Sequence, residues 1–346
     1  MFPACILQAG KLCRRTGMLD RILYNKVQRE LLESPFFTLR QKIPFGMGLF
    51  KVLLVGDSNA GKSTLINALA GREIVPESSM TSTNIATYIG FNPLDREWVN
   101  VMDAEGRIET KGILDFRSDF IYRSEDVYAG KRNAYDGHSA YVNYKHKLAE
   151  WGICLVDTIG IGINAYDVEA TASKIKEADV LVYLYDSSRK GNLSSAEIDF
   201  LKNTVFLDKE HSLLPYDRIL FVPNKIDAVM SETEVCKVLR YDLLNFVPEY
   251  SLGWNKLCDN IVPLSALYAR LASVGICNYA NVHDRKVREA LMDREYRILK
   301  NASISSGDYA TGLYMKSGMQ TLVDRITHIV EAIDLHYFVS QKELYV

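Results

Sequence analysis

A short segment of glycine and small polar residues carries the clearest chemistry in this 346-residue chain. It runs from Gly56 to Ser63 and has the spacing G-x-x-x-x-G-K-S. The glycines allow a tight turn in which successive backbone N–H groups point at one anion. Lys62 adds a cation for the outer phosphates of a nucleotide, and Ser63 adds a hydroxyl for Mg²⁺. The segment therefore predicts a phosphate-binding loop.

The residues on either side predict a strand before this loop and a helix after it. The run Val52–Val55 is apolar, and residues 64–70 continue from the loop with helical periodicity. The positive end of that helix dipole would add to anion binding. The predicted nucleotide-binding residues of this segment are Asp57, Ser58, Asn59, Ala60, Gly61, Lys62, Ser63 and Thr64.

Two further segments offer groups for a metal ion and for a terminal phosphate. A buried strand is predicted at 152–156, and it ends in the tetrapeptide Asp157-Thr158-Ile159-Gly160. The Asp157 carboxylate can hold Mg²⁺ through water, and the Gly160 N–H can meet a γ-phosphate. A hydroxyl-rich loop about twenty residues after Ser63 offers a further metal ligand. Three threonines compete for that role: Thr81, Thr83 and Thr87.

A strand predicted at 218–222 leads to the sequence N-K-x-D, which indicates recognition of a base. The Asp227 carboxylate can accept hydrogen bonds from guanine N1–H and from its exocyclic amine, a pair that adenine lacks. Asn224 can brace the loop and contact N7, while the stem of Lys225 can cover the base.

A last short strand, predicted at 261–264, ends in Ser265-Ala266, where the Ala266 N–H could meet guanine O6. Most of these motifs follow the carboxyl end of a predicted strand. Ligands bind at that edge in doubly wound sheets. The sequence therefore predicts an α/β fold, a three-layer P-loop sandwich with a mostly parallel sheet and helices on both faces.

An insertion at about 92–150 separates the first helix from the next core strand, and a structureless loop of this length would be unusual. Residues 98–101 and 107–109 flank the turn sequence DAEG and predict a hairpin. Residues 141–147 alternate weakly and could pair with the strand at Ile153. The tyrosine-rich stretch 122–147 also carries Lys and Arg, but its acidic residues favour a packing role over a nucleic-acid patch.

Amphipathic helices are predicted on both sides of this core. Residues 18–33 and 319–333 repeat apolar side chains at three- and four-residue steps. The first could pack on the domain flank or pair with the second, and pairing is slightly favoured; for the second, packing on its own sheet is preferred. The predicted division is 1–48 for a helical segment and linker, 49–337 for the nucleotide-binding domain and 338–346 for a tail.

Composition argues for an ordinary intracellular protein. The formal net charge is −2, which gives no global basic field for nucleic acid or membrane. The six cysteines are scattered without a C-x-x-C pair, as in a reducing compartment. The sequence contains neither a run of about 18 apolar residues nor a signal-peptide pattern. We therefore expect a cytoplasmic protein, with peripheral contact to a membrane left open.

Taken in order, GDSNAGKST, Thr83, DTIG, NKID and SAL resemble the five motifs of the P-loop GTPases, over about residues 50–335. The first is similar to the TrmE/Era-like branch, whereas TSTNIAT and the long insertion are similar to the bacterial dynamin-like branch. Matching TNIAT to the dynamin-like motif makes Thr83 the threonine ligand of Mg²⁺. The resemblance implies a Mg²⁺-dependent GTPase that converts GTP to GDP, with catalytic roles for Lys62, Thr83, Gly160 and Asn59.

The sequence departs from related enzymes after Asp157. Ile159 replaces a usual proline, and the water-orienting glutamine that Ras-like enzymes carry near the position of Ile161 is missing. In TrmE-like and dynamin-like relatives, dimerisation across the nucleotide face and a monovalent cation assist hydrolysis. An Asn of the phosphate loop holds that cation in the TrmE-like case, and Asn59 occupies that position. The resemblance thus implies a homodimer and K⁺-stimulated hydrolysis.

Dynamin-like relatives also carry a helical stalk and a lipid-binding region, which this sequence lacks. The expected partner is therefore a membrane or a stalk-bearing protein. Two alternatives remain open from the sequence. One is an Era/TrmE-like switch associated with RNA or the ribosome, against which the missing basic C-terminal domain argues. The other is a scaffold that holds a nucleotide with little turnover, which the missing glutamine favours.

Overall fold

The computed structural model describes the core of the chain in several ranges. They are 48, 50–57, 59–75, 77, 85–92, 95–119, 138–158, 165–188, 192–206, 212–228, 231–247, 249, 252–275 and 309–343, with single residues between 289 and 300. The predicted helix at 18–33 lies outside the described residues.

The described residues form one eight-stranded sheet of order β4-β3-β5-β2-β6-β1-β7-β8. The strands are β1 (Phe50–Gly56), β2 (Ala86–Gly90), β3 (Trp98–Met102), β4 (Ile108–Lys111), β5 (Ser139–Asn143), β6 (Ile153–Asp157), β7 (Val180–Asp186) and β8 (Ile219–Asn224).

The half of the sheet that carries the predicted motifs is parallel. Strands β6, β1, β7 and β8 are parallel neighbours, and their central side chains are buried. Near-continuous apolar runs such as VLVYLYD in β7 are typical of parallel strands covered on both faces. The strand expected at 261–264 is reduced to two isolated parallel bridges to β8, from Phe221 to Ile261 and from Asn224 to Leu264.

The other half is mixed. β2 runs antiparallel to β6, β5 is parallel to β2, and β3 runs antiparallel to both β5 and β4. The hairpin around DAEG is confirmed, with the Gly106 N–H donating to Asp103 O at 3.0 Å. The expected pairing of 141–147 with the strand at Ile153 is wrong, because β2 lies between β5 and β6. Side-chain alternation marks a strand but does not name its neighbour.

Helices cover both faces of the sheet, so the predicted three-layer α/β fold is confirmed. They are α1 (Lys62–Ala70), α2 (Ile113–Asp119), α3 (Ala165–Glu177), α4 (Ser195–Phe200), α5 (Glu232–Leu243), α6 (Leu252–Asp259), α7 (Ala266–Ser273), α8 (Tyr309–Lys316) and α9 (Met319–Glu343). One hydrophobic cluster packs α1, α7 and α9 against the sheet. A second cluster packs α4, α5 and α6 against the opposite face.

The C-terminal helix α9 belongs to this sandwich. Its apolar stripe, which includes Met319, Leu322 and Ile326, is buried in the same cluster as β1 and β7. The preferred interpretation, that this helix packs on its own sheet, is confirmed. Among the described residues, no helix is both long and apolar enough to cross a membrane.

Candidate nucleotide-binding site

The turn between β1 and α1 is held in shape by short-range contacts and by a distant asparagine. The Ala60 N–H donates to Asp57 O at 3.1 Å. Gly61 has φ 94°, which side-chain-bearing residues rarely adopt, and a Cβ there would lie 2.3 Å from the amide nitrogen of Asn224. Glycine is thus required at this position both by backbone conformation and by close approach.

Lys62 folds back into this turn. Its ammonium group donates to Gly56 O at 2.8 Å and to Asp57 O at 2.9 Å, and the residue is 6% exposed. Burial lowers the pKa of this ammonium, and the carboxylates of Asp157 and Asp57 oppose the shift. A cation is therefore held, with little water around it, beside N–H groups that the loop can present to an anion.

Ser63 on α1 contacts Asp157 at the end of β6. The Ser63 hydroxyl donates to Asp157 Oδ2 at 3.3 Å. The other carboxylate oxygen, Oδ1, is buried and has no hydrogen-bond partner among the described residues. Burial raises the pKa of Asp157 to about 6, although Lys62 and Ser63 both favour its charged form. A buried carboxylate oxygen without a partner, next to a hydroxyl, fits the all-oxygen ligand set that Mg²⁺ prefers.

Asn224 joins the phosphate turn to the predicted base-reading segments. Its side-chain NH₂ donates to Ala60 O at 2.7 Å, and its side-chain oxygen accepts from the Ala266 N–H at 2.9 Å. Its own carbonyl accepts from the Ser187 N–H at 3.0 Å. The bracing role expected for Asn224 matches this geometry. The Ala266 N–H, in contrast, is already engaged, so contact with guanine O6 would require it to leave Asn224.

Asp227 lies beside the start of α7. The Ser265 hydroxyl donates to Asp227 Oδ1. Ser265 Oγ also accepts from the Tyr268 N–H at 3.1 Å, as the N-cap of that helix. One side chain therefore both caps α7 and orients the carboxylate that was predicted to read guanine.

Asp186 is a site residue that the motif analysis missed. Lys225, at φ 67°, donates its ammonium to Asp186 Oδ2 at 2.6 Å. Burial is the largest single influence and would raise the pKa of Asp186, but the hydrogen bonds from Lys225 and Ser188 and the charge of Lys225 together outweigh it, so the pKa is lowered. Its position in the sequence could have indicated it, because Asp186 is the last residue of β7, as Asp157 is the last residue of β6.

The remaining predicted residues fall into three groups. Asn59 is exposed at the tip of the phosphate turn, and Asp57 is half-buried. Thr87 lies within β2, where its hydroxyl donates to Ile85 O at 3.3 Å, which makes it a poor candidate for the metal. The residues that lie outside the described part of the chain are Ser58, Thr81, Thr83 and Gly160.

Comparison with known proteins gives a family match. Residues 52–226, just over half of the 346-residue chain, match the model described as Dynamin family. A bacterial dynamin-like protein of Nostoc punctiforme is 25% identical over 166 residues, which are 46% of this chain and 23% of the relative. A probable transmembrane GTPase, FZO-like, of Arabidopsis thaliana is 25% identical over 232 residues, 66% of this chain and 20% of the relative.

A shorter match links the chain to a tRNA modification GTPase, MnmE of Agrobacterium fabrum. It is 41% identical over 66 residues, 19% of this chain and 15% of the relative. The chain therefore spans less than a quarter of each of these three curated relatives.

Solved structures with similar folds include an oligomerised bacterial dynamin pair and an Era protein. The first has a TM-score of 0.48 and 16% identity, and the match covers 98% of this chain and 47% of that chain. Era of Aquifex aeolicus, bound to GDP and AlF4⁻, has a TM-score of 0.35 and 19% identity, with 71% and 56% covered.

Proposed function

Because this chain belongs to the dynamin family, we propose that it binds GTP at the edge where β1, β6 and β8 end and hydrolyses it to GDP and phosphate. The observation that carries this proposal is the Asn224 side chain, which bonds to Ala60 and to Ala266 at once. This double contact supports the proposal, because it brings the phosphate turn next to the segments that are proposed to bind the base.

The residues of the turn bind and orient the phosphates in this proposal. The cluster comprises Asp57, Ser58, Asn59, Ala60, Gly61, Lys62, Ser63 and Thr64. Lys62, buried beside the turn, exchanges its loop carbonyls for phosphate oxygens and neutralises charge that develops on them. Water then attacks the γ-phosphate in line, and the Gly160 N–H meets the same phosphate.

Mg²⁺ is the metal ion that fits the oxygen ligands of Ser63 and Asp157. Ser63 and Asp157 would hold it, since they supply a hydroxyl and a buried carboxylate with an unpartnered oxygen. Thr83 is the proposed third protein ligand. When bound, the ion neutralises charge on the phosphate oxygens.

In this proposal, the segment after β8 recognises the base. Asp227, oriented by Ser265, accepts from the guanine N1–H and amine, and the stem of Lys225 covers the ring. Asn224 and Ala266 hold the segment against the phosphate turn. Adenine nucleotides lack the paired donors and should bind much more weakly.

We further propose a dynamin-like switch that dimerises across its nucleotide face, with K⁺ at Asn59 assisting hydrolysis. The exposed position of Asn59 at the tip of the turn supports this, because a second copy could approach it there. The GTPase domain in this proposal spans 49–337. Membrane contact would be peripheral, from the cytoplasm, and shared with a partner.

Titration of the purified chain with labelled guanine and adenine nucleotides tests the site. Tight binding of GTP and GDP, with adenine nucleotides far weaker, supports it. Binding of neither, or a preference for adenine, would overturn the proposed function. A phosphate-release assay then separates an enzyme from a scaffold that only holds the nucleotide.

A further inference from the structure

A polar network between α1 and α7 extends from Thr64 of the phosphate turn to residues outside the motifs described above. Its members are Thr64 and Asn67 on α1, Arg270 on α7 and Glu77 in the segment after α1. Asn67 and Arg270 are almost wholly buried, at 0% and 1% exposed. These two side chains lie in the protein interior, whereas the Glu77 side chain is 23% exposed.

Glu77 is the centre of this network. One of its carboxylate oxygens accepts from the Asn67 side-chain NH₂ at 2.6 Å. The other accepts from the Thr64 hydroxyl at 3.2 Å and lies 3.5 Å from Arg270 Nε. Burial raises the pKa of the Glu77 carboxyl, and the positive charge of Arg270 opposes that shift. A single carboxylate thus contacts both helices.

The backbone before Glu77 is fixed to α1 as well. The Asn67 side-chain oxygen accepts from the N–H groups of Ile74 and Val75 at 2.8 and 3.0 Å, and its NH₂ also donates to Val75 O at 2.9 Å. Glu77 is therefore held at a defined place on α1, from which it can hold Arg270.

Both ends of the network lie next to the candidate site. Thr64 follows Ser63 in the first turn of α1, the helix that begins at the phosphate turn. Arg270 lies about one turn after Ala266 in α7, the helix that Ser265 caps while it bonds to Asp227. A continuous path of contacts therefore runs from the phosphate side, through Glu77 and Arg270, to the base-reading carboxylate.

Stability alone does not account for an ion pair in this place. Charges cost free energy to bury, and apolar replacements of buried ion pairs are often neutral or stabilising. The contact between a Glu and an Arg is directional, whereas an apolar contact is not. An ion pair therefore fixes the relative position of the two elements that carry it.

We propose that Glu77 is a positioning residue for nucleotide recognition. Through Arg270 it sets α7, and hence Asp227, at the distance from the phosphate turn that one guanine nucleotide spans. This inference rests on the proposed function, and it assigns to Glu77 and Arg270 a part in base discrimination without contact to the base.

The test compares binding of GDP with binding of inosine diphosphate, which lacks the exocyclic amine that Asp227 would hold. In the Glu77→Gln variant, we expect GDP affinity to fall about fivefold to tenfold, in the range of couplings between sites. The affinity for inosine diphosphate should fall less, because this nucleotide makes fewer contacts with Asp227. The ratio of GDP affinity to inosine diphosphate affinity should therefore fall. A general loss of protein stability would not change this ratio.

Glu97→Gln is the matched control, because it removes an exposed Arg–Glu pair, Arg72 with Glu97 at 3.1 Å. Both affinities should remain at wild-type values. Melting temperatures of all variants show that the compared proteins are folded.

Arg270→Met and the double variant Glu77→Gln/Arg270→Met complete a cycle. We expect Arg270→Met to reduce the GDP preference in the wild-type background and to have no further effect beside Glu77→Gln. Additive effects, or a folded Glu77→Gln variant with the wild-type preference, would overturn the inference and leave the proposed function intact. Wild-type protein that binds neither nucleotide would overturn both.

Discussion

Lys62 and Asp157 are both buried, and burial moves the pKa of each toward its neutral form. Neither environment is one that folding alone would favour, because charged groups lose hydration there. Each side chain also touches the phosphate turn or its helix. The burial of these two charged groups therefore supports the proposed site for a phosphate chain and a divalent cation.

The first prediction concerns Lys62→Ala. We expect nucleotide affinity to fall about 100-fold, since about 3 kcal/mol of charge-assisted hydrogen bonding to phosphate is lost. Fluorescent GTP binding measures it. Lys237→Ala is the control, because that side chain is 65% exposed and pairs with Glu234, a neighbour on the same exposed helix surface. Wild-type affinity in Lys62→Ala would contradict the proposed phosphate site.

The second prediction concerns stability in acid. Burial lowers the pKa of His146 to about 4, and its Nδ1 accepts from the Leu148 N–H at 3.3 Å. The unfolded chain binds this proton near pH 6.5 and the folded chain only near 4, so His146 costs stability as the pH falls between those values. We expect a loss of about 3 kcal/mol across that window from this residue.

Urea denaturation at pH 7, 5.5 and 4.5 measures the effect. His146→Gln should flatten the dependence on pH relative to wild type, whereas His328→Gln, an exposed histidine on α9, should leave it unchanged. If the free energy of unfolding of His146→Gln depends on pH as steeply as that of wild type, other groups dominate the acid sensitivity.

At the scale of elements, the site depends on a few strands whose carboxyl ends share one edge. Strands β6, β1, β7 and β8 run parallel, so Asp157, the phosphate turn, Asp186 and Asn224 are brought together. Helices α1 and α7 start from that edge and pack in one hydrophobic cluster. α9 packs in the same cluster and thereby supports the layer beneath the site.

The third prediction tests that support. Ile326 on α9 is 2% exposed in the cluster that holds α1. Ile326→Ala should lower the free energy of unfolding by about 2–4 kcal/mol, through lost burial and the cavity left behind. Chemical denaturation measures the change. Replacing the exposed His328 by Ala on the same helix should change it by less than about 0.5 kcal/mol.

For the whole molecule, the proposed function assigns part of the catalytic apparatus to a second copy and to a cation. The chain has no glutamine at the positions after Asp157 where Ras-like relatives orient water. Asn59 is exposed, and the proposal places a cation and a second protomer beside it.

The fourth prediction follows at this scale. GTP turnover per molecule should rise with protein concentration, and it should be faster in K⁺ than in Na⁺ at equal ionic strength. Asn59→Ala should remove most of the difference in turnover between K⁺ and Na⁺, measured at saturating GTP. Turnover that is independent of both concentration and cation would contradict activation by dimerisation.

Much of the candidate site could be predicted from local patterns. The phosphate turn, the ends of β6 and β8, and the hairpin at DAEG each occupy a short stretch of chain, whose residue types determine its backbone and its buried face. The three-layer fold follows from the alternation of such stretches. The roles of Thr83 and Gly160 stay predictions, because both lie outside the described residues.

Only the tertiary structure decided which distant groups meet. The position of β5 beside β2, the double contact of Asn224, the pairing of Lys225 with Asp186 and that of Glu77 with Arg270 have no local signature. Residue types and spacing determine conformation and burial within a stretch of chain. Which edges pair and which charges approach one another depends on how all the layers pack together, and a single sequence does not display that packing.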